Sequence, residues 1–171
     1  MAILKIARMG HPVLLQQATP VTDPDAAETR RLIQDMIETM EDASGAGLAA
    51  PQVYVSQRLF VYRVPEGRGE PPQDTTVLIN PVIEPVGDAI IVSWEGCLSI
   101  PGLRAAVPRH ATVCYSGLNY AGRLVRGEAT GFHALVLQHE NDHLDGILYP
   151  MRMTDLSLFG FTEELARQLR I

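Results

Sequence analysis

Near its carboxyl end the chain reads Gln138-His139-Glu140-Asn141-Asp142-His143-Leu144-Asp145-Gly146. The two histidines are four residues apart, so on a helix both imidazoles share one face, and Glu140 stands beside the first of them. Imidazole nitrogens bind divalent metals, and a carboxylate next to such a metal can accept a proton. This stretch therefore predicts a divalent-metal site on a helix, with its own general base.

The residues around this motif favour a helix. Thr130 and Gly131 can begin it, and Gly146 can end it. Apolar side chains recur at helical spacing on the face of the two histidines, namely Phe132, Leu135 and Val136. The same pattern also fits a core helix with two solvated or hydrogen-bonded histidines, so the motif alone leaves two interpretations open.

Two histidines leave a zinc or iron ion short of a third protein ligand, and three sources of that ligand are open. Tyr149 stands where the metzincin pattern needs a third histidine. Glu163 or Glu164 could serve as the acid of a thermolysin-like site, although little of the chain follows them. The remaining source is upstream, where Cys97 lies in Glu95-Gly96-Cys97-Leu98-Ser99-Ile100-Pro101-Gly102.

Length and composition predict one ordinary globular domain, residues 1–171. Hydrophobic residues make up 46% and charged residues 20%, and no apolar run approaches the length of a membrane helix. The formal charge of −6 and the scattered arginines argue against direct nucleic-acid binding and against a membrane partner. The first eight residues lack the features of a signal or transit peptide, which favours the cytoplasm.

The two cysteines, Cys97 and Cys114, are too few for a disulfide framework. In a reducing compartment, a cysteine beside glycine such as Cys97 is best interpreted as a thiolate ligand or a nucleophile. Cys114 lies in the strand-like run 111–115, where we expect a buried, small apolar residue.

The remaining patterns predict two more helices and several strands. One helix begins with Asp23 as N-cap and buries a stripe formed by Leu32, Ile33, Met36, Ile37 and Met40. Thr162 caps a short final helix of about eight residues. Strands are predicted at 59–64, 76–80, 82–86 and 89–94, with a hairpin of 112–118 and 123–130 and an extended piece at 148–153.

A run of small residues follows the first of these helices and reads Gly45-Ala46-Gly47-Leu48-Ala49-Ala50-Pro51-Gln52. Its glycines allow the backbone to approach a ligand or another chain segment closely. The amide of Gln52 can donate a hydrogen bond to developing negative charge. The alternative is a plain loop between helix and strand.

Together these three segments resemble the peptide deformylase family. The family's motifs are Gly-x-Gly-x-Ala-Ala-x-Gln, Glu-Gly-Cys-x-Ser and Gln-His-Glu-x-Asp-His-Leu, and they match residues 45–52, 95–99 and 138–144 in order. The resemblance extends to Gly10-His11-Pro12-Val13-Leu14 and to Val107-Pro108-Arg109. It implies an α+β fold in which antiparallel sheets surround a central metal-binding helix, with a long N-terminal helix outside and a short C-terminal helix.

The resemblance also implies the chemistry. Cys97, His139 and His143 would hold one divalent ion, Fe²⁺ by preference, with Zn²⁺, Ni²⁺ or Co²⁺ able to replace it. Such a set leaves one tetrahedral position to water, whose pKa falls to about 7, and Glu140 takes its proton. The side chain of Gln52 and the backbone N–H of Leu98 are the implied donors to the oxyanion. The implied reaction removes the N-formyl group from the initiator methionine of newly made polypeptides and releases formate.

Further positions carry implied roles in binding. The pocket for the N-formylmethionyl substrate comprises Gly45, Ala46, Gly47, Ile91, Gly96, Leu135 and Val136. Glu95 and Arg104 are expected either to form a pair that supports the metal ligands or to contact substrate, and Gln138 and Asp142 are expected to orient the histidines.

Two other functions fit parts of the sequence. A metal-dependent endopeptidase shares the His-Glu-x-x-His helix but has no use for the cysteine segment. A non-catalytic metal-binding module needs a fourth protein ligand, and neither Cys114 nor His133 lies at an obvious ligand spacing.

The C-terminal segment bears on ribosome docking. From Thr162 onward it carries two acids and two arginines, whereas some bacterial relatives dock on the ribosome through a long basic helix. We therefore expect at most a transient association with the ribosome.

Overall fold

Three α-helices and eight strands form in residues 2–169, the part of the chain that the structure, a computed structural model, describes. The helices are α1, Ala27–Asp42; α2, Gly131–Leu144; and α3, Thr162–Leu169. The strands are β1, Gly47–Ala49; β2, Leu59–Val64; β3, Gln73–Pro85; β4, Ile90–Cys97; β5, Ile100–His110; β6, Thr112–Leu118; β7, Leu124–Thr130; and β8, Phe159–Phe161. Short 3₁₀ turns cover Pro12–Leu15, Ala50–Val53, Tyr149–Arg152 and Leu156–Leu158.

The strands form two antiparallel sheets, and α2 packs against both of them. The larger sheet has the order β1-β2-β3-β6-β7, and the smaller has the order β4-β5-β8. This arrangement confirms the predicted α+β fold around a central helix.

The larger sheet has one helix on each face, as the alternation of side chains along β2 shows. Phe60 packs in one core cluster with Leu137 of α2, whereas Val61 packs in a second cluster with Met36 of α1. Burying each such side chain stabilises the fold by about 1.5–3 kcal/mol. The predicted stripe on the N-terminal helix is confirmed, and it holds α1 against the outer face of the sheet.

The start of α1 differs from the prediction. The helix begins at Ala27 with Ala26 as N-cap, not with Asp23. Oδ1 of Asp23 instead accepts the N–H of Asp25 at 3.0 Å. This local turn uses the side chain that would have capped the helix, so the helix starts later.

The strand β3 is continuous where two strands were predicted. Asn80 has φ of 50°, and its amide donates to the carbonyl of Val21 at 2.9 Å and accepts the N–H of Val21 at 2.8 Å. The register with β6 shifts between Ile79 and Val82. The irregularity at Asn80 is therefore a bulge inside one strand.

Three other local features were missed or wrong. The strand β5 was not predicted, because Pro101, Gly102 and Pro108 obscure its alternation. The piece 148–153, predicted to be extended, contains a 3₁₀ turn that begins next to Pro150. Cys114 is exposed rather than buried, because the period of two in β6 turns its neighbour Val113 inward.

The end of α2 follows the prediction. Gly146, with φ of 73°, comes just after α2, where the N–H of Ile147 donates back to the carbonyl of Asp142 at 2.9 Å. The helix α3 was predicted to be capped by Thr162, but it begins at Thr162 itself, whose hydroxyl donates to the carbonyl of Gly102 at 3.1 Å. Its length of eight residues agrees with the prediction, while Arg170 and Ile171 lie outside the described residues.

Candidate active site

The helix α2 and the end of β4 bring Cys97, His139 and His143 together. One ligand atom from each lies within 4.8 Å of the others, and Sγ of Cys97 is 3.2 Å from Nε2 of His143. Tyr149 is buried and stacks on His139, with ring centroids 6.1 Å apart, whereas Glu163 and Glu164 are exposed on α3. Of the three sources considered for the third ligand, the structure brings the cysteine to the histidines.

His139 is oriented by Glu95. Nδ1 of His139 donates to Oε2 of Glu95 at 2.7 Å, which leaves Nε2 free to face the cluster. Arg109 donates to both oxygens of the same carboxylate, at 2.7 and 3.0 Å. Burial alone would raise the pKa of Glu95, but its bonds with His139 and Arg109 outweigh burial and lower that pKa to about 2. Glu95 is therefore an ionised buried carboxylate that fixes the ring of a ligand.

Arg109 is the main residue that the sequence did not assign. It is 5% exposed and also donates to Oδ2 of Asp142 at 2.5 Å. Arg152 donates to Oδ1 of Asp142 at 2.7 Å. Asp142, predicted to orient a histidine, thus acts on His139 only through Arg109 and Glu95. The Val107-Pro108-Arg109 match was the signal that pointed to this residue.

The contacts of Gln138 differ from the expectation. Its amide accepts the N–H of His110 at 3.0 Å and donates to the carbonyls of His110 and Ala134 at 2.9 Å each. Gln138 therefore ties α2 to β5 and orients neither histidine.

Glu140 is buried beside the cluster and lies against β1. It is 3% exposed, and its Oε2 has no hydrogen-bond partner within the described chain. Burial raises the pKa of Glu140 to about 7, although the charge on His139 opposes the rise. A Cβ on Gly47 would lie 2.2 Å from Oε1 of Glu140, so only glycine leaves room for this carboxylate.

Gln52 lies on the other side of the cysteine. Its Nε2 donates to Oγ of Ser99 at 3.1 Å and lies 3.4 Å from Sγ of Cys97. Its Oε1 accepts the N–H of Ala49 at 2.8 Å, which fixes the side chain within its own turn. Leu98 follows the cysteine, and its N–H donates to no acceptor in the described part of the chain.

A cavity of about 480 Å³, here called the active-site cavity, opens beside these groups. It lies within the size range of small-molecule sites. Of the residues predicted to bind or orient substrate, it is lined by Gly45, Ala46, Gly47, Glu95, Gly96, Leu98, Arg104, Leu135 and Val136. Cys97, His139 and Glu140 line it as well, and so do Arg68, Trp94 and Phe132, none of which was predicted to bind substrate.

The expectation for Ile91 is wrong, and of the two interpretations of Arg104 only the substrate contact remains. Ile91 does not line it, because the wall along β4 starts only at Ser93, and Ile91 lies opposite Arg109 in the hairpin. Arg104 does not pair with Glu95, because Arg109 occupies that carboxylate, and Arg104 is exposed at the cavity.

The charges around the cluster suit a cation. Burial lowers the pKa of His139, yet its contacts with Cys97 and Glu95 and the charge of Glu140 hold the pKa well above its ordinary value. The charged form is therefore favoured for His139, whereas burial and the charge of His139 lower the pKa of His143 well below its ordinary value. A thiolate with two imidazoles is a donor set that zinc and iron both accept, so the residues fit a divalent ion. The fold and this site define a metal-dependent hydrolase of the His-Glu-x-x-His class.

Residues 3–158 match the family model described as polypeptide deformylase, and the chain belongs to that family. Peptide deformylase 1 of Bordetella pertussis is 51% identical over 166 residues, which cover 94% of this chain and 93% of that protein. A class I type b peptide deformylase from Acinetobacter baumannii, crystallised with Met-Ala-Ser bound, has a TM-score of 0.83 at 34% identity, covering 89% of this chain and 99% of that one. The peptide deformylase of Synechococcus elongatus in complex with actinonin has a TM-score of 0.83 at 36% identity, covering 96% and 85%.

None of the helices in the described residues is long and apolar enough to cross a membrane.

Proposed function

We propose that this chain removes the N-formyl group from the initiator methionine of newly made polypeptides and releases formate. The observation that carries the proposal is the buried Glu140 carboxylate beside the Cys97, His139 and His143 cluster, at the wall of an open cavity. Family membership makes the formyl amide the expected bond. The Acinetobacter baumannii relative was crystallised with Met-Ala-Ser bound, a peptide with a methionyl N-terminus.

Cys97, His139 and His143 would hold one divalent ion, for which we propose Fe²⁺, with Zn²⁺, Ni²⁺ or Co²⁺ able to replace it. When bound, such an ion supplies Lewis acidity, which polarises a carbonyl and makes water more acidic. The Glu95 carboxylate, held by Arg109, keeps the imidazole of His139 in the orientation that presents Nε2.

Glu140 is the proposed general base and acid. Its pKa of about 7 in the buried site suits both accepting a proton from the attacking water and returning it to the leaving amine. Gly47 supports this role, because its missing side chain leaves room for the carboxylate at the cavity wall.

The proposed donors to the oxyanion are the N–H of Leu98 and the side-chain amide of Gln52. Leu98 lines the cavity next to Cys97, and its N–H has no acceptor among the described residues. The amide of Gln52 lies 3.4 Å from the sulfur of Cys97, so it points to the same part of the site. Losing one such donor raises the barrier by about 2.7–4 kcal/mol.

The apolar side of the active-site cavity would receive the methionine side chain. Leu135 and Val136 project from α2 one turn before His139, and Ala46 faces them from the segment before β1. Gly45, Gly47 and Gly96 keep the backbone at the cavity free of side chains, so an extended peptide can approach closely.

Action on newly made chains places the proposed activity in the cytoplasm, near the ribosome. In its described side chains α3 carries Glu163 and Glu164 against Arg167, and Arg167 donates to Glu164 at 2.9 Å. Such a surface has no excess of positive charge for ribosomal RNA. We therefore propose that any contact with the ribosome is transient and that there is no direct nucleic-acid binding.

Formate release from formyl-Met-Ala-Ser by anaerobically purified protein tests this function, together with metal analysis of the same sample. Acetyl-Met-Ala-Ser is the matched control, since it differs only in the acyl group. Formate production that requires one equivalent of metal is expected. Cleavage of the Met-Ala bond without formate would instead indicate an endopeptidase, and bound metal without turnover would indicate a non-catalytic module.

A further inference from the structure

A second cavity lies on the far side of the Glu95 and Arg109 ion pair and has no part in the chemistry described above. Its volume is about 450 Å³, and it opens between α2, the β4–β5 hairpin and the paired strands β3 and β6. Within the described range 2–169 no residue lines both cavities, since Glu95 belongs to the active-site cavity and Arg109 to the second one. A cavity of this volume is large enough for a small molecule.

Apolar side chains form much of the wall of the second cavity. They come from three strands and the turn before them, and they are Ile83, Pro85, Ile90, Pro108 and Val113. Ile90 is 52% exposed, although a large aliphatic side chain gains free energy when it is removed from water. This part of the cavity therefore favours a ligand with a hydrocarbon group.

The charged side chains at the second cavity are Arg109, Asp142 and Arg152. Both oxygens of Asp142 already accept hydrogen bonds from the two arginines. Arg152 uses its Nε and Nη2 for these bonds, at 3.2 and 2.7 Å, so its Nη1 has no acceptor among the residues that the structure describes. Unused N–H donors beside a fully bonded carboxylate suit an anionic oxygen and not a cation.

His110 provides a second polar position on the wall of this cavity. Its backbone N–H and C=O are both bonded to the side chain of Gln138, at 3.0 and 2.9 Å. Its ring Nδ1, by contrast, is buried and has no hydrogen-bond partner in the described part of the chain. Buried polar atoms of side chains nearly always have a partner. Because His110 lines the second cavity, a polar group of a bound molecule can be that partner.

We propose that the second cavity is a binding site for a small carboxylic acid with a branched aliphatic tail. The carboxylate accepts hydrogen bonds from Nη1 of Arg152, and the tail packs against the apolar wall that includes Ile83 and Ile90. A ligand of this size binds with a Kd of about 1 mM. Because the side chain of Arg152 is 46% exposed, its ion pair with the ligand strengthens binding by only about two- to fivefold.

The test measures binding of 4-methylpentanoate to the zinc-loaded protein through the NMR shifts of isoleucine and valine methyl groups. Excess Met-Ala-Ser is present to occupy the active-site cavity, and 4-methylpentanamide is the matched uncharged probe. Ile90→Glu places a negative charge on the wall, and Arg152→Gln removes the donor. Their controls are Val92→Glu and Arg126→Gln, because Val92 is 68% exposed on the same strand, Arg126 is exposed on β7, and neither lines the second cavity.

The acid should shift the methyl signals of Ile83, Ile90 and Val113 in a saturable manner, and the amide should bind about two- to fivefold more weakly. Arg152→Gln should bind the acid as weakly as the amide while its affinity for the amide stays that of the wild type, which shows that the cavity is intact. Ile90→Glu should weaken binding of the acid about fivefold or more, and the two control variants should leave it unchanged.

Three results would overturn the proposal. The first is the absence of saturable shifts at the second cavity, and the second is equal affinity of the wild type for acid and amide. The third is equal weakening of acid binding in Ile90→Glu and Val92→Glu. None of these measurements uses turnover, so their outcome is independent of the proposed deformylase function.

Discussion

The Gly47→Ala substitution should disable the enzyme by moving one carboxylate. Gly47 lies in β1, opposite Tyr62 of β2, and its backbone is not in the left-handed region, so alanine is acceptable to the local conformation. The added Cβ would lie 2.2 Å from Oε1 of Glu140, 2.6 Å from its Cδ and 2.7 Å from its Cγ. All three contacts are with the proposed base, which separates this substitution from a general disturbance of the strand.

The size of the effect follows from these distances. Ordinary van der Waals contact begins at 3.4 Å, so Oε1 must move by at least about 1.2 Å unless β1 moves instead. The strand is poorly able to move, because Leu48 and Ala49 are fully buried. A displacement of about 1 Å at a catalytic group can cost about 100-fold in rate, which corresponds to about 2.7 kcal/mol. Overpacking would also lower the free energy of unfolding by about 1–3 kcal/mol.

The prediction is tested by measuring formate release, metal content and thermal unfolding on the same preparations of the wild type and the Gly47→Ala variant. Gly160→Ala is the matched control, since Gly160 also lies in a strand, does not line the cavity, and an added Cβ would make only ordinary contacts of 3.5–3.9 Å with Leu165. We expect the control to keep most of its activity and both variants to keep their metal. A folded Gly47→Ala protein with bound metal and near-normal kcat would refute the claim that this glycine sets the position of Glu140.

Four further predictions follow from the site. Glu140→Gln should keep the metal and lose about 100-fold or more in kcat, because an amide cannot accept the proton; near-normal formate release would place the base elsewhere. Cys97→Ser should lose metal, since an alcohol is a far poorer ligand than a thiolate, whereas Cys114→Ser on the exposed face of β6 should retain it; equal loss by metal analysis would mean that the wrong sulfur was chosen. Arg109→Lys keeps the charge but loses the two-pronged contact with Glu95, so titration should show metal affinity about 10- to 100-fold weaker, and unchanged affinity would remove Arg109 from the site. An iron-loaded sample should lose activity in aerated buffer, a nickel-loaded one should lose it more slowly, and a zinc-loaded one should be stable but slower; identical decay would show that oxidation of iron or of Cys97 does not limit the enzyme.

The parts of the site that the sequence predicted are those that local geometry determines. His139 and His143 share a face because the helix repeats every 3.6 residues, and Glu140 follows the first histidine along the chain. Gly47 also belongs to a recognisable run, although its contact with Glu140 became visible only in the structure. Cys97 lies 42 positions before His139, and only its resemblance to a family motif selected it among three sources.

Other parts of the site depend on how the strands pair and on how loops return, and these could not be predicted from the sequence. The role of Arg109 arises because β4 and β5 form a hairpin whose pairing had no clear signal among the prolines and glycine of β5. Without that pairing, Arg104 was the nearer candidate partner for Glu95, and Ile91 was placed in the cavity. The position of Arg68 at the cavity could not be predicted for a similar reason, because it arises where the loop between β2 and β3 returns to the start of α2.

Alternating charges connect a ligand of the metal to the surface, through Glu95, Arg109, Asp142 and finally Arg152. The first three are buried, whereas the side chain of Arg152 is 46% exposed. Burying charges carries a large desolvation penalty, so this network adds little net stability, but removing one buried member would leave its neighbour charged and unpaired. The network is better explained as a means of fixing side-chain positions. Both oxygens of each carboxylate accept hydrogen bonds, and Arg152, which binds Asp142, lies in the 3₁₀ turn after α2. The orientation of His139 is therefore coupled to the packing of the chain segment that follows its own helix, and this links the metal site to the smaller sheet and to the C-terminal part of the fold.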